Sequence, residues 1–300
     1  MLFTWTNHIV GQSNRFIWFE KWVVGRHTLT QLSRQSGYSV RTLNRYFDKY
    51  LKQSPILKVF PSERVNLLID GTYFNNDLCL ILYRDNTVKF TQLYRITNGE
   101  WYDELKEDLH NLLTVGVQIE SITCDGHKAL LKAIKKVCKK VTVQRCLVHI
   151  QRMCRVWLTQ HPKSQAGSEL RKIVSQLHLI TTPTQRDYWI VSLVRWYERF
   201  VFFINEKSYQ PSSGRYWYKH KMVRRSFTVI KRALPDMFQY IDNPAIPKST
   251  NGLESFFGHL KGNLNIHRGL TLKHRKNFIA WYLYLRNGSA KFSSDHKAYR

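Results

Sequence analysis

The order of strand-like and helix-like segments between residues 64 and 146 restricts the fold of this chain more than any other feature of its sequence. Three runs rich in β-forming residues come first, and two further runs each follow a segment whose apolar residues have helical spacing. The five predicted strands are residues 65–70, 77–83, 87–94, 119–125 and 141–146. An antiparallel meander followed by two helix-linked strands predicts an α/β fold with a mixed sheet.

That strand order is typical of a ribonuclease-H-like sheet, in which the first and fourth strands are neighbours. Asp70 and Asp125 each end one of these two predicted strands and precede a glycine, so we expect their carboxylates to meet at one edge of the sheet. Carboxylates that close repel each other unless a divalent cation neutralises them. Taken alone, an aspartate at a strand end is more often a turn residue.

Two aspartates cannot hold the pair of cations that phosphodiester chemistry uses, so a third acid is expected from elsewhere in the chain. Glu254 is the candidate, because it lies in a predicted helix and only one other acid, Asp242, occurs between residues 237 and 280. A lone glutamate on a basic helix is more often a partner in a surface salt bridge. The three acids together favour a catalytic site in which Asp70, Asp125 and Glu254 hold metal.

Cys146 and His149 form a C-x-x-H motif between the second and third acids. They are half of a zinc site if Cys154 and His161 complete it, although these spacings match no familiar zinc module. The other interpretation places His149 in the active site, where an imidazole that titrates near neutrality donates a hydrogen bond to the scissile phosphate. Cys146 then has a structural role in the turn at the end of the fifth strand.

The chain carries 47 Lys and Arg against 21 Asp and Glu, a formal net charge of +26. A field of that sign favours a polyanionic partner, with nucleic acid first. Residues 207–235 hold eight basic residues, five aromatic ones and no acid, and we predict DNA contacts there at Arg224 and Arg225. A solvated helical face is the alternative. The acids between residues 100 and 108 are predicted on a helix that faces solvent.

Gly37 separates two short helical patterns near the N-terminus. It is predicted to end the first helix in the left-handed conformation, and Ser39 is predicted to cap the second. The second helix carries Arg41, Asn44 and Arg45 on its polar face, so the pattern predicts a helix-turn-helix whose second helix enters the major groove of DNA. An ordinary helical hairpin is the alternative.

Four motifs in this order resemble those of the Mutator-like (MULE-type) DDE transposases of bacterial insertion sequences: IDGTY around Asp70, TCDGHKAL around Asp125, QRCLVHIQR with Cys146 and His149, and STNGLESFFGHLK with Glu254. The resemblance implies a ribonuclease-H-like core interrupted by an all-helical insertion. It also implies two Mg²⁺ ions, with Mn²⁺ as an alternative, that support cleavage of the element's ends and transfer of the freed 3′-OH into target DNA. The implied partners are the terminal inverted repeats, the target DNA and at least a second copy of the chain on DNA.

The predicted organisation has five parts: an N-terminal segment (1–20), the helix-turn-helix unit (21–57), a catalytic core in two pieces (62–150 and 246–290), the helical insertion (151–245) and a tail (291–300). No apolar run approaches the roughly 18 residues of a membrane span, and the first residues lack the pattern of a signal peptide. Five cysteines without a CxxC pair favour a reducing compartment. We therefore expect a cytoplasmic, nucleoid-associated protein with no membrane partner.

Two other functions are compatible with these motifs. One is a sequence-specific DNA-binding regulator with an inactive nuclease fold, and the presence of all three acids counts against it. The other is a ribonuclease-H-like nuclease such as a Holliday-junction resolvase, and the helix-turn-helix and the large insertion count against that. Metal-dependent nicking of an oligonucleotide that contains the element's end separates the first of these from a transposase.

Overall fold

The computed structural model of the protein describes residues 13–59, 64–74 and 78–288; the predicted tail, the first twelve residues and Asp77 lie outside these ranges. The helices are α1 (Ser13–Val24), α2 (Leu29–Ser36), α3 (Val40–Leu51), α4 (Tyr102–Thr114), α5 (Lys128–Val137), α6 (Leu147–Leu158), α7 (Gln165–Ser175), α8 (Pro183–Asn205), α9 (Lys221–Ala233), α10 (Gln239–Asp242), α11 (Asn251–Ile266) and α12 (Leu272–Asn287). The strands are β1 (Val65–Phe74), β2 (Leu78–Asp85), β3 (Phe90–Thr97), β4 (Ile119–Cys124), β5 (Thr142–Arg145), β6 (Lys207–Tyr209) and β7 (Tyr216–Tyr218). Across the described ranges, no helix combines the length and the apolar character that a membrane crossing requires.

The first five strands form one mixed sheet in the order β3-β2-β1-β4-β5. β2 is antiparallel to both β1 and β3, whereas β4 runs parallel to β1 and β5 runs parallel to β4. α4 connects β3 to β4, and α5 connects β4 to β5. The predicted α/β class, the mixed sheet and the neighbouring positions of the first and fourth strands are therefore confirmed.

β1 is longer than predicted, since it continues beyond Asp70 to Phe74. Its last residues stay paired with β2 as far as Phe74 opposite Leu78. Its pairing with β4, in contrast, ends at Ile69 opposite Cys124. The prediction that Asp70 ends a strand is therefore wrong: Asp70 lies within β1, at the point where the parallel neighbour of β1 ends.

Both faces of the sheet are buried, because alternate residues of each strand enter different hydrophobic cores. On one face, Leu67 and Ile69 pack with apolar residues of α4 and α5. On the other face, Leu68 packs with residues of α11, α12 and the three N-terminal helices. The sheet is therefore the middle layer of the core.

The N-terminal helices share the second of these cores with α11 and α12. The ring of Phe19 on α1 lies 5.6 Å from that of Phe47 on α3 and 5.4 Å from that of Trp281 on α12. The indole N–H of Trp281 also donates to the carbonyl of Tyr50 at 2.9 Å. α1 runs without a break through the boundary that the sequence placed between residues 20 and 21.

The junction between α2 and α3 follows from its local sequence. Gly37, with a φ of 74°, ends α2, and its N–H donates to the carbonyl of Ser33 at 3.0 Å. Ser39 caps α3, because its hydroxyl accepts the N–H of Thr42 at 3.1 Å. The Ser33 hydroxyl donates to the carbonyl of Tyr38 at 2.7 Å and ties the turn together. The two predicted caps are confirmed.

Helices α6 to α10 have a hydrophobic core of their own, which contains Trp189, Trp196 and Ile230. Between α8 and α9, β6 and β7 form a two-stranded antiparallel hairpin. The prediction of an all-helical insertion is wrong at this point. Three consecutive aromatic residues in β7 favour a strand, and Gly214, with a φ of 64°, supplies the left-handed turn before them.

Of the acids between residues 100 and 108, Asp103 and Glu107 face solvent as the sequence predicts, whereas Asp108 is buried and Glu100 is largely covered. Asp108 is 3% exposed, and its carboxylate accepts Arg95 at 2.6 Å and the hydroxyl of Tyr83 at 2.9 Å. Glu100 precedes α4, and its side chain is 15% exposed. Helical spacing identifies the helix, but partners from β2 and β3 decide which of its acids are buried.

Candidate active site

Asp70 and Asp125 lie at one edge of the sheet, just beyond the last parallel pair of β1 and β4. Asp70 is 8% exposed, and its Oδ1 accepts the N–H of Gly71 at 3.0 Å. Asp125 is half-buried, and its Oδ1 accepts the N–H of His127 at 2.8 Å. The parallel register of the two strands therefore brings the two aspartates together, although the chain separates them widely.

The glycine after each aspartate makes room for another side chain. A Cβ atom on Gly71 would stand 2.8 Å from Oε1 of Glu100, and one on Gly126 would overlap the guanidinium of Arg145. Arg145 crosses Gly126, whose φ is 88°, and donates to the carbonyl of Asp125 at 3.1 Å. The missing side chain of Gly71 therefore leaves room for the carboxylate of Glu100, and that of Gly126 leaves room for the guanidinium of Arg145.

Glu100 is a fourth acid at this edge, and the sequence analysis missed it. Its Oε2 lies 3.9 Å from Nδ1 of His127. Burial raises the pKa of Glu100, and the negative charges of Asp125 and Asp70 add to that rise. The one available signal in the sequence is that Glu100 lies before the first turn of α4, outside the helical spacing of the acids that follow.

Glu254 lies in the first turn of α11, and two residues of α6 contact its carboxylate. Nη1 and Nη2 of Arg152 lie 3.1 and 2.9 Å from Oε1 and Oε2 of Glu254, which is a bidentate ion pair. Nε2 of His149 lies 3.7 Å from Oε1. Glu254 therefore forms a salt bridge, as the alternative interpretation expects. His149 contacts this ion pair and also interacts electrostatically with Asp70 and Asp125.

Cys146, immediately before α6, and Thr250, immediately before α11, connect the first turns of these two helices. The buried sulfur of Cys146 accepts the N–H of Thr250 at 3.3 Å. Nδ1 of His149 lies 3.4 Å from the hydroxyl of Thr250. These contacts fix the ring of His149 from one side, while its other nitrogen faces Glu254.

His149 carries a positive charge at neutral pH. Its pKa rises to about 9, first because of its hydrogen bond with Cys146 and then because Asp70 and Asp125 are negatively charged. Burial alone would raise the pKa of the Cys146 thiol, but the hydrogen bond and charge of His149 lower it below its usual value. The expectation of an imidazole that titrates near neutrality is therefore wrong.

The pKa of Asp70 shows how strongly this edge is charged. Burial raises it to about 6, His149 opposes that shift, and the negative charge of Asp125 adds to it. A hydrogen bond from Thr250 favours the ionised form. The site therefore concentrates several carboxylates around one imidazolium, at a place where little water is available to screen them.

The positions of Cys154 and His161 do not support the zinc alternative. The thiol of Cys154 is buried and contacts the carbonyl of Ser226 at 3.8 Å, while His161 is exposed between α6 and α7. Within residues 13–59, 64–74 and 78–288, no three His, Cys, Asp or Glu side chains are grouped so that they could hold one metal ion.

The acids at the sheet edge are of the chemical type that a divalent cation prefers, but as placed here no three of these described side chains are grouped closely enough to hold one ion. Asp70, Asp125 and Glu100 offer hard oxygen donors. Burial is the main cause of the raised pKa of Asp70 and of Glu100, and a bound cation would offset the smaller contribution that comes from the neighbouring carboxylates. Arg152 occupies both oxygens of Glu254. The third predicted ligand is therefore already in an ion pair in this structure.

A basic groove of about 350 Å³ runs along α6 next to this ion pair. Arg152, Arg155 and Arg171 line it, together with Gln160. Guanidinium groups in such an arrangement suit the phosphates of a nucleic acid backbone. Arg152 is thus shared between this groove and the ion pair with Glu254.

The predicted DNA-contact residues lie on two separate surfaces. Arg41, Asn44 and Arg45 are exposed on one side of α3. On α9, the guanidinium of Arg224 lies 3.8 Å from the ring centroid of Tyr218 in the hairpin. Arg225 covers the ring of Trp157 on α6, at 4.2 Å from its centroid.

The fold and the site define a class: a mixed α/β protein with clustered carboxylates at one sheet edge and a strongly basic surface. The family model described as "Transposase, Mutator family" matches residues 94–257, which is more than half of the chain. The chain therefore belongs to the Mutator family of transposases. The matched region contains Asp125, Cys146, His149 and Glu254, and begins after Asp70.

Two other comparisons add no argument to this assignment. A cryo-EM structure of a simian T-cell lymphotropic virus intasome in complex with PP2A regulatory subunit B56 gamma is 12% identical, with 66% of this chain and 72% of that chain covered and a TM-score of 0.22. At that score the likeness carries no conclusion about fold or function. No curated protein matches the chain significantly.

Proposed function

We propose that this protein is a DDE transposase of the bacterial insertion-sequence type, which cleaves the ends of its element and transfers the freed 3′-OH into target DNA. One observation carries the proposal: Asp70 and Asp125 lie side by side where the parallel pairing of β1 with β4 ends, and His149 contacts Glu254 from this edge. Membership of the Mutator family supports the same class of reaction.

The proposed core has a ribonuclease-H-like fold. The strand order β3-β2-β1-β4-β5, with three antiparallel strands before two parallel ones, supports it. In this proposal the core comprises residues 62–150 and 246–290, the insertion residues 151–245, and the helix-turn-helix unit residues 21–57. α1 extends that unit toward the N-terminus, since it packs with the same core residues.

We assign Asp70, Asp125 and Glu254 as the residues that hold two Mg²⁺ ions, for which Mn²⁺ can substitute. When bound, such ions activate the attacking oxygen and stabilise the leaving oxygen at a phosphodiester. Glu100 contributes a further carboxylate to the same edge. Arg152 pairs with Glu254, and a DNA phosphate in the adjacent basic groove would compete for that guanidinium.

His149 is proposed to act on the DNA phosphate. Its ring can donate a hydrogen bond to a phosphate oxygen as negative charge develops there. Cys146 and Thr250 hold the ring in place. Water and the DNA 3′-OH are the nucleophiles in this scheme, so no Tyr or Ser nucleophile is assigned.

In this proposal, α3 reads the terminal inverted repeat through Arg41, Asn44 and Arg45, and the basic insertion, with Arg224 and Arg225, binds the DNA backbone. Two ends must be cut and joined, so the active form on DNA is at least a dimer. The net charge of +26 supports a location on the nucleoid in the cytoplasm.

The direct test uses the full chain, Mg²⁺ or Mn²⁺, and a duplex that carries the genomic ends flanking its gene. The variants Asp70→Asn, Asp125→Asn and Glu254→Gln keep the side-chain shapes but remove the charges. We expect each to lower cleavage by about 100-fold or more, since metal-held charge contributes several kcal/mol. Binding of the same duplex is expected to remain, because these acids do not contact phosphate directly.

The matched control is Asp187→Asn, at an exposed acid of α8 that pairs with Arg186, and its cleavage rate is expected to equal that of the wild type. A second candidate function is a DNA-binding regulator with an inactive nuclease fold, which the Arg152–Glu254 ion pair favours. End-specific binding without any cleavage in either metal would establish the regulator. Cleavage of branched DNA without preference for the ends would instead indicate a resolvase-type nuclease.

A further inference from the structure

The hairpin of β6 and β7 is an exposed aromatic surface that the proposed chemistry does not use. Lys207 is paired with Tyr218, Ser208 with Trp217 and Tyr209 with Tyr216. Residues directly opposite in an antiparallel pair share a face, and alternate residues point to opposite faces. One face therefore carries Lys207 and three tyrosines, and the other carries Trp217 with only a serine beside it.

The side chains of the tyrosine face contact one another. The rings of Tyr209 and Tyr216 are 6.0 Å apart, and those of Tyr216 and Tyr218 are 5.8 Å apart. The ammonium of Lys207 lies 4.0 Å from the centroid of Tyr216. Cation–π and ring contacts thus hold this face together from within.

Trp217 on the opposite face is different. It is 53% exposed, and it has no ring or cation partner among the residues that the structure describes. A large indole left in solvent beside a serine does not contribute to the core of its own chain. Its flat face is available to a ligand that can stack on it.

Side chains at the base of the hairpin connect its two strands with each other and with α8. Glu206 accepts the ammonium of Lys219 at 2.5 Å and Nε2 of His220 at 3.0 Å, across the two strands. The ring of His220 also stacks on Phe203 of α8 at 3.5 Å. Trp217 is thus presented on a fixed support, which lowers the conformational entropy that binding would cost.

The charge around the hairpin selects the kind of ligand. From residue 207 to residue 235 the chain has eight basic residues and no acid. An exposed aromatic ring inside a cationic field suits a polyanion that also has flat aromatic surfaces, which describes nucleic acid with unpaired bases. In a fully paired duplex the base faces are covered by their neighbours and are not available to an indole.

We propose that Trp217 stacks on an unpaired base of DNA and that the hairpin is a binding site for opened or single-stranded DNA. This rests on the proposed function only in that DNA is the ligand, and it does not depend on catalysis. The basic residues of the surrounding segment attract the DNA backbone in this arrangement, while Trp217 takes the base.

The test measures binding of the full chain to two duplexes in the presence of EDTA, so that no strand is cut. One duplex is fully paired, and the other has the same sequence with three unpaired thymines in its middle. We expect Trp217→Ala to weaken binding of the second duplex by about 5- to 150-fold, the range for one lost stacking contact. Binding of the paired duplex is expected to change by less than about twofold.

Two further substitutions separate stacking from simple apolar contact. Trp217→Phe keeps a ring and is expected to retain most of the preference for unpaired bases, whereas Trp217→Leu is expected to lose it as Trp217→Ala does. Tyr188→Ala removes another exposed aromatic residue, 72% exposed on α8, and is the matched control that should bind both duplexes normally.

Four outcomes would overturn the inference. Equal affinities of Trp217→Ala and the wild type for the unpaired duplex would exclude the contact, and full binding by Trp217→Leu would exclude stacking. A change in molecular mass on light scattering with Trp217→Ala would assign the surface to contact between two copies of the chain. Absence of wild-type binding to either duplex would remove the proposed function as well, so the two failures are distinguishable.

Discussion

At the scale of single residues, the same dipeptide serves two different arrangements at this sheet edge. Asp70-Gly71 leaves space for the carboxylate of Glu100, and Asp125-Gly126 leaves space for the guanidinium of Arg145. The glycine matters as much as the aspartate in each motif, because its missing side chain leaves the space that a second charged side chain occupies. This is why Glu100 belongs to the site although it is distant from both aspartates in the sequence.

Glu100→Gln tests whether that fourth carboxylate assists metal binding. The amide keeps the packing against Gly71 but removes the charge, so we expect Mn²⁺ affinity, measured by calorimetry, to fall by about 10-fold. Glu107→Gln is the control, since that acid is exposed on α4 and pairs with Arg95. Unchanged Mn²⁺ affinity in Glu100→Gln would limit Glu100 to a packing role.

At the scale of elements, α3 owes its position to its buried face and its proposed role to its exposed one. Leu43, Phe47 and Leu51 are buried against α1, α2 and α12. Arg41 and Arg45 lie on the opposite, solvent-exposed side. The helix is therefore fixed on the core while its basic side remains free to enter a groove of DNA.

Replacing Arg41 and Arg45 by alanine tests sequence reading by α3. Each specific contact of an arginine with a guanine discriminates by about 1–3 kcal/mol, so we expect the preference for the element's end over random DNA to fall by about 10-fold or more. Arg34→Ala removes one charge from the exposed side of α2 and serves as the control in the same competition assay. An equal loss of affinity for both DNAs would make α3 a non-specific clamp.

At the scale of the whole molecule, the N-terminal helices and the C-terminal helices of the core are one packed body. His267, at the end of α11, is a joint between them: its Nε2 donates to the carbonyl of Trp22 at 2.9 Å. Its ring lies 4.2 Å from that of Trp22 on α1 and 5.4 Å from that of Phe278 on α12. Burial lowers the pKa of His267 to about 4, so the ring is neutral in the folded protein at neutral pH.

Because His267 is buried in its neutral form, we expect the protein to lose stability in mild acid. The unfolded chain protonates His267 near pH 6.5, whereas the folded chain protonates it only near pH 4, so the unfolded state binds more protons between these values. His267 therefore contributes a loss of about 2–3 kcal/mol in the free energy of unfolding as the pH falls through this window. Urea denaturation at several pH values measures it.

His267→Gln is the matched variant, because the amide can still donate to Trp22 but does not titrate. Between pH 6.5 and pH 4, its free energy of unfolding is expected to fall less than that of the wild type. Parallel pH profiles for the two proteins would show that the neutral ring of His267 is not a source of this dependence.

The sequence by itself determined the local features. Strand and helix periods gave the α/β class and the strand order, and Gly37 and Ser39 gave the junction of α2 and α3. These features depend on residues close together in the chain, where backbone preferences and side-chain periods act directly. The ordered motifs also led to the Mutator family, to which the chain belongs.

Only the tertiary structure decided which of the predicted residues meet, and with what partners. Arg152 holds Glu254, Glu100 reaches the edge across Gly71, and His149 is a cation because Cys146 and the aspartates surround it. Each of these facts depends on distance and burial between residues far apart in sequence. Charge and solvent exposure belong to the folded environment of a side chain, and no local pattern in the chain encodes them.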